Sequence, residues 1–444
     1  MATTYITRTL GTPTNNLKWT LSAWVKRSQT SGDGCIMSIG DNTSDYTRVD
    51  FNGNGQIEFD NKPGGSFDGR RMTSAYYRDP AAWYHIVAVF DSANVTGDDR
   101  MILYVNGSRI TVFGTDIDPS SSAASGNTSA ETVRLGVLDT ATYFNGEMSW
   151  VQFVDGSALA PTEFGEFDST SGIWKIKTTP YATPGNNGFC LKMEDRTNLD
   201  LDSSSNAHTF TTSGTLTATY DNPSNNFCTI NPLDNYLAAS TFSNGNNTLV
   251  THSGNYSYNT GTMGLSAGLW YWEEKIGSSS SYDMVGIADS PTLSTTGWLG
   301  YYTYSYGYRS DTGQVYTGTS GSAYGGTYTT GDIIGVYLDL TANKLYFAKN
   351  GTLENSGTGV SITAAASTTH GHYLPGVGEY GSSSAGTYNL NFGNGYFGTT
   401  AVTSAVADEG GIGAFEYDPS AGTFDSASKD FRAICTKNIK AYGG

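Results

Sequence analysis

The sequence predicts an all-β protein: two antiparallel β-sandwich domains, joined by a polar connector and followed by a small C-terminal tail module. Three observations predict it. Gly (55) and Tyr (30) are abundant and charged residues make up only 15% of the chain, a composition suited to short strands joined by tight turns. Apolar residues alternate with polar ones in several short runs. No stretch shows the sustained periodicity of a long helix or the heptads of a coiled-coil shaft. A length of 444 residues suggests two or three domains. An aromatic content of 13% supplies sizeable cores and argues against disorder.

In chain order, WTLSAWVKRS opens the first sandwich, with Leu21, Ala23 and Val25 alternating with Thr20, Ser22 and Trp24. The Gly/Asp/Asn-rich zone Ser31–Gly69 holds short segments, RVDFNG and QIEFD, that read as hairpin strands with polar turns. WYHIVAVFD (Trp83–Asp91) is apolar on both faces and predicts a central strand covered on both sides. In MILYVNGSRITVF, the step Asn106-Gly107 predicts a two-residue hairpin, because both residues tolerate positive φ. Pro119–Thr128 reads as a loop, and YFNGEMSWVQFVDGSAL closes the sandwich near residue 165. GDIIGVYLDLTANKLYFAKNG (Gly331–Gly351) repeats the design: an apolar strand ending near an Asp, then a strand ending in Asn-Gly. The division that follows is 1–165 first sandwich, 166–232 connector, 233–395 second sandwich and 396–444 tail, the tail carrying its own apolar piece FRAICTKNI.

The net charge of -17 repels phosphate backbones, which argues against nucleic-acid binding and for solubility. Cys35, Cys190, Cys228 and Cys435 form no C-x-x-C pair and allow three full pairings; reduced thiols buried as small hydrophobes are the expectation. The start MATTYITRTL lacks the features of a secretory signal, and no apolar run approaches ~20 residues. The expectation is a protein made in the cytoplasm, with no membrane insertion.

On WTLSAWVKRS, WYHIVAVFD, LYVNG and YFNGEMSWVQFVDGSAL, the first 165 residues resemble the laminin-G/concanavalin-A-like lectin family, with those pieces in that family's order. On GLWYWEEKI, VGIADS, GDIIGVYLDL and LYFAKNGTL, the segment from about Leu233 to Gly395 looks like a SPRY domain. The whole is similar to virion structural proteins of marine tailed phages, where such sandwiches are joined by a segment like DNPSNNFCTINPLDN and end in pieces like FEYDP and FRAICTKNI. These resemblances imply lectin-like, jelly-roll sandwiches. They also imply a place on the surface of a bacteriophage particle, other virion proteins as partners and assembly as a homo-oligomer. SPRY domains usually bind partners through loops at one end of the sandwich, and the sequence does not identify that end.

Catalytic chemistry finds little purchase. Glycoside hydrolysis needs two carboxyls facing one cleft. The Glu-x-Asp-x-x-Glu strand of lectin-like glucanases does not occur, and Glu273 and Glu274, being adjacent, point to opposite faces of a strand. The histidines His85, His208, His252, His370 and His372 come without a G-x-S-x-G elbow, and His85 lies in an apolar strand as a packed core residue. His370 and His372 lack an evident third metal ligand. The chain is therefore expected not to be an enzyme.

Two binding sites are candidates. Asp200, Asp202, Ser204 and Asn206 offer oxygens at alternate positions, the start of a calcium-loop pattern, although Ser205 and Thr211 replace the Gly and Glu of an EF-hand; the alternative is an Asx-rich turn. In WLGYYTYSYGYRSDTGQVY, Tyr302, Tyr304, Tyr306 and Tyr308 would share one strand face and stack on sugar rings, with Arg309 and Asp311 bonding hydroxyls. The alternative is that the row packs between two sheets. Two functions are weighed on these grounds. One is a fibre, spike or head-decoration protein that recognises host-surface glycans; the other is a purely structural capsid or tail decoration or connector. A polysaccharide-degrading glycoside hydrolase is the more distant third. Deleting Asn394–Gly444 is expected to block incorporation into particles.

Overall fold

A computed structural model describes residues 3–29, 31–40, 44–235, 239–291, 297–381 and 384–443. The chain is nearly all β and divides into two compact units, Met1–Ala218 with Asn222–Ser224, and Thr219–Asp221 with Asn225–Gly444.

The first unit runs β1 (Tyr5–Thr9), β2 (Lys18–Arg27), β3 (Gly34–Ile39), β4 (Tyr46–Phe51), β5 (Ile57–Lys62), β6 (Arg70–Thr73), β7 (Trp83–Asp91) and β8 (Met101–Val105). It continues with β9 (Ser108–Arg109), β10 (Phe113–Ile117), β11 (Thr132–Leu135), β12 (Gly146–Asp155), β13 (Gly165–Phe167), β14 (Trp174–Ile176), β15 (Phe189–Leu191) and β16 (Thr211–Ser213). The sheet β10-β6-β5-β4-β3-β11-β1-β16 and the sheet β15-β12-β2-β7-β8-β9 enclose a core that includes Trp19, Leu21, Val25, Phe59, Ile86 and Phe153. β7 is buried on both faces from His85 to Asp91, as its composition requires. Asn106 (φ 49°) and Gly107 (φ 78°) form the two-residue turn between β8 and β9.

The second unit runs β17 (Thr241–Ser243), β18 (Thr248–Val250), β19 (Ser257–Thr260), β20 (Leu269–Ser278), β21 (Asp283–Ala288), β22 (Ser305–Arg309), β23 (Gln314–Thr317), β24 (Ser320–Ala323) and β25 (Ile333–Asp339). After these come β26 (Lys344–Lys349), β27 (Thr352–Leu353), β28 (Val360–Ser361), β29 (Leu374–Glu379), β30 (Thr387–Asn391), β31 (Tyr396–Phe397), β32 (Thr400–Ala401), β33 (Arg432–Ala433) and a short helix α1 (Thr436–Tyr442). Its two main sheets are β17-β18-β30-β20-β25-β26-β27 and β19-β29-β21-β22-β23-β24. Between them lie Trp270, Trp272, Val285, Tyr308, Val336, Phe347 and Tyr388.

Two parts of the predicted division change. Residues 166–232 are not a free connector. β15 pairs with β12 and β16 with β1, and Phe189, Leu191 and Phe210 join the first core; a strand of three residues is too short to show alternation within a polar segment. The tail 396–444 is likewise part of a core. Phe415, Phe424, Phe431 and Ala433 pack with Phe227 on Tyr271, Tyr337 and Tyr346, the side of β20, β25 and β26 turned away from the inter-sheet core. β33 pairs in parallel with β20, and Phe227 bridges Cys435. The tail covers apolar surface that would otherwise face water, so deleting Asn394–Gly444 would unfold the unit before it tested particle incorporation. All four cysteines are buried thiols outside any disulfide.

Candidate functional site

A cluster of aromatic rings forms on the outer side of β19, β29, β21, β22 and β23. Its floor is glycine. A Cβ at Gly307 would lie 2.4 Å from Leu299 O, and one at Gly376 would lie 2.7 Å from Leu299 Cδ1. The missing side chains let Trp298–Tyr302 lie flat against the sheet. Trp298 then contacts Tyr380 (4.4 Å between ring centroids), Tyr301 (4.6 Å) and Tyr256 (5.2 Å). Trp298 is buried, yet its indole N–H has no hydrogen-bond partner among the described residues.

Arg309 anchors the other side of the cluster. Its guanidinium lies 4.2 Å from the Tyr380 ring, 5.1 Å from Tyr282 and 5.6 Å from Tyr316, in cation–π range of all three. Asp311 holds it through two bonds, Nε to Oδ1 at 2.6 Å and Nη2 to Oδ2 at 2.8 Å. Tyr256, Tyr301, Tyr302, Tyr316 and Tyr380 are half-buried and Tyr282 is exposed. Rings with one open face, around a fixed cation and a buried N–H, suit a ligand that offers flat or apolar surface together with hydrogen-bonding groups.

The predicted tyrosine row is split by this arrangement. β22 begins only at Ser305, so Tyr302 lies in the preceding turn and belongs to the patch. Tyr304 packs on the edge of the core, and Tyr306 and Tyr308 lie inside it. Tyr308 OH bonds Gly326 O, and Tyr306 OH accepts from Thr363 N at 3.0 Å. The face made of Tyr302, Tyr304, Tyr306 and Tyr308 is therefore corrected: inward packing takes Tyr306 and Tyr308, while Arg309 and Asp311 lie on the outer side. Trp298, Tyr256, Tyr282, Tyr316 and Tyr380 were not singled out from sequence. They come from five separate segments, and only the glycines opposite them gave a local signal.

The calcium-loop residues close their own loop instead. Asp202 Oδ1 accepts from Cys190 N and Ser204 N (both 2.9 Å), and Oδ2 accepts from His208 N at 2.8 Å. Asp200 accepts from Thr212 Oγ1 at 2.7 Å. Ser204 Oγ accepts from Asn206 N, and Asn206 turns its amide nitrogen to Gly185 O and Gly188 O. Asp202 thus joins β15 to the following loop, an Asx-type role. Among the described residues no group of three His, Cys, Asp or Glu side chains is placed to hold a metal ion. His370 lies 3.5 Å from Asp289, and His372 Nδ1 meets His370 O at 2.9 Å.

The acids and the buried histidine lack catalytic geometry. Glu273 and Glu274 point to opposite faces. Glu274 bonds Trp272 Nε1 in the core, whereas Glu273 accepts from Glu416 N, Tyr417 N, Asn391 Nδ2 and Tyr271 OH beneath the tail. Burial pushes Glu273 up to about 7 against those donors. Glu58 and Asp60 do share one face of β5, but Arg48 and Arg70 clamp both. His85 is stacked between Trp24 (4.7 Å) and Trp174 (5.9 Å). Trp174 N–H donates to His85 Nδ1 at 2.9 Å, which leaves the ring proton on Nε2, facing Ser22 Oγ at 2.9 Å. A histidine in that tautomer cannot take the Ser22 proton, and burial holds its pKa down to about 3.

Comparison with known proteins fits these two units. Residues 2–163 match the concanavalin A-like lectin/glucanases superfamily, and residues 269–385 match the SPRY domain. The chain carries both domains. Domains of these kinds are typically non-catalytic interaction modules. Ran-binding protein 9 of Xenopus tropicalis is 38% identical over 90 residues, covering 19% of this chain and 16% of that protein. Ran-binding protein 10 of Danio rerio is 37% identical over 86 residues, 19% of this chain and 14% of its own length. The chain thus spans under a fifth of these relatives. Among solved structures, the SPRY domain of human HERC1 is similar at 21% identity and TM-score 0.30, covering 36% of this chain and 96% of that one. The heptameric SAP-like pentraxin from Limulus polyphemus is similar at 18% identity and TM-score 0.27, covering 36% and 74%. No helix of the described residues is long and apolar enough to cross a membrane.

Proposed function

We propose that this protein is a non-catalytic binding protein on the surface of a bacteriophage particle, a fibre, spike or head-decoration component that recognises host-surface glycans. The observation that carries the binding reading is the patch of Trp298, Tyr256, Tyr282, Tyr301, Tyr316 and Tyr380 around Arg309. Such rings stack on the apolar faces of sugars, while the Arg309–Asp311 pair and the Trp298 N–H meet hydroxyls. A single site of this kind binds weakly, and a homo-oligomer displayed in many copies supplies avidity. The virion assignment rests on the likeness to marine-phage structural proteins in the joining segment and the C-terminal pieces.

A glycan array probed with the full chain, beside Trp298→Ala and Tyr380→Ala, tests the binding reading. Loss of at least about tenfold in signal with folding intact supports it. A blank array for the native chain, with capture of virion proteins instead, would favour a purely structural decoration, since the same aromatic surface suits a protein partner. Immunogold labelling of particles and binding to host cells test the virion reading. Label at the tail tip with saturable cell binding marks a receptor-binding protein; label on the head without cell binding marks a decoration; no label removes the particle from the account.

A further inference from the structure

Behind the aromatic patch, the same strands carry two buried acids. Asp283 on β21 and Glu379 on β29 stand directly opposite each other. Both are fully buried, and their side chains face the space between the sheets. Asp283 accepts from Tyr388 OH of β30 at 2.8 Å, Ser279 Oγ at 2.5 Å, and Ser280 N and Oγ at 3.0 and 3.1 Å. Thr251, Ser280 and Gly386 lie around Glu379. Tyr328, whose OH donates to Asp283 O at 3.0 Å, also brings Glu274 of β20, Tyr308 and Asp311 into electrostatic range of this site. No cation forms an ion pair with either carboxyl among the described residues. Two ionised carboxylates facing each other in a core without a counter-charge are strongly unfavourable.

The residues next in the chain lie on the opposite side of the sheet, in the patch. Tyr282 precedes Asp283, Tyr380 follows Glu379, and Tyr256 precedes Ser257, the residue paired with Glu379 on β19. Tyr380 N donates to Tyr282 O at 3.0 Å, tying the two strand ends together. Whatever separates those ends moves the two rings that flank Arg309.

We propose that a proton on Glu379 sets the shape of the aromatic patch. With Glu379 neutral, the ends of β21 and β29 close and hold Tyr282 and Tyr380 against Arg309. Once it ionises beside Asp283, the ends part, water reaches both carboxylates and the patch loosens. As a control on ligand capture, this rests on reading the patch as the binding site. Burial pushes Glu379 up to about 7, and Asp283 adds to that push against the opposing hydroxyls of Ser280 and Thr251. The closed form therefore holds the proton, is favoured in acid, and is lost as pH rises through about 7. Each pH unit between about 4.5 and 7 multiplies the open population by up to about tenfold, and the rise levels off above 7.

Hydrogen–deuterium exchange on the full chain tests this without a ligand. Between about pH 6 and pH 8.5, after correction for intrinsic exchange, opening around Tyr282 and Tyr380 should rise about tenfold. In Glu379→Gln it should stay flat. Equal opening at both pH values in the native chain, or the same rise in Glu379→Gln, would overturn the proposal. If Glu379→Gln does not match the native urea midpoint at about pH 6, the titration of the native chain alone decides. The glycan array run at the same two pH values separates the two readings. Blank arrays with pH-dependent exchange would remove glycan binding and leave the switch; strong, pH-flat arrays with flat exchange would remove the switch and leave glycan binding.

Discussion

Replacing Glu274 by Gln should stabilise the second unit in alkaline solution and change little in acid. Glu274 sits on β20 between Trp272 and Ile276 and is fully buried. Its Oε1 accepts the Trp272 indole N–H at 2.8 Å, and its Oε2 has no partner among the described residues. Burial raises its pKa from 4.5 to about 8. The folded state therefore keeps a proton that the unfolded chain releases. The associated stability is complete below about pH 4.5 and falls as pH rises toward 8. At about 1.4 kcal/mol per unit the ceiling is about 5 kcal/mol, and relaxation with water entry would leave about 2–3 kcal/mol. Gln retains the acceptor for Trp272 and cannot ionise. Urea unfolding at about pH 5, 7 and 9 should show the variant and native curves together in acid and apart by that amount in alkali. Curves that keep one separation at every pH would refute the reasoning. Glu273 and Glu379 titrate in both proteins, so the difference isolates Glu274.

Other outcomes follow from packing. Gly107→Ala places a methyl 2.4 Å from the Trp174 ring at a φ of 78°, and should destabilise the first unit by about 2–4 kcal/mol, read as a lower melting temperature. Phe431→Ala removes a ring packed on Tyr337 and Phe424 and should destabilise the second unit by about 3–5 kcal/mol; a change below 1 kcal/mol in urea unfolding would mean that the tail is not part of that core. Asp202→Ala strands the three backbone N–H groups it now satisfies and should destabilise the first unit by about 2–3 kcal/mol. Millimolar calcium should leave the native melting curve in place, and a calcium-dependent rise lost in Asp202→Ala would restore the loop as a metal site.

How much the sequence alone determined depends on the range of the interaction involved. Continuous apolar runs in Trp83–Asp91 and Ile333–Asp339, and the Asn-Gly steps at 106–107 and 350–351, specify buried strands and two-residue turns because neighbours in the chain decide both. The opposite facing of Glu273 and Glu274 was legible for the same reason. Of the candidate site, Arg309, Asp311 and Tyr302 were legible as surface residues. The rest of the tyrosine row was not. Residues 301–308 keep one polarity pattern across a turn and a strand, and only the glycine floor at Gly307 and Gly376 decides where the strand begins. Residues 166–232 and 396–444 look polar and aperiodic because Phe189, Phe210, Phe415, Phe424 and Phe431 stand singly in loops or in strands too short for a period to show. Tertiary structure enlists them because the edges of β12 and β1, and the face carrying Tyr271, Tyr337 and Tyr346, need covering. It likewise brings Asp283 and Glu379, 96 positions apart in the chain, into direct opposition, because only the sheet register decides which buried acids become neighbours.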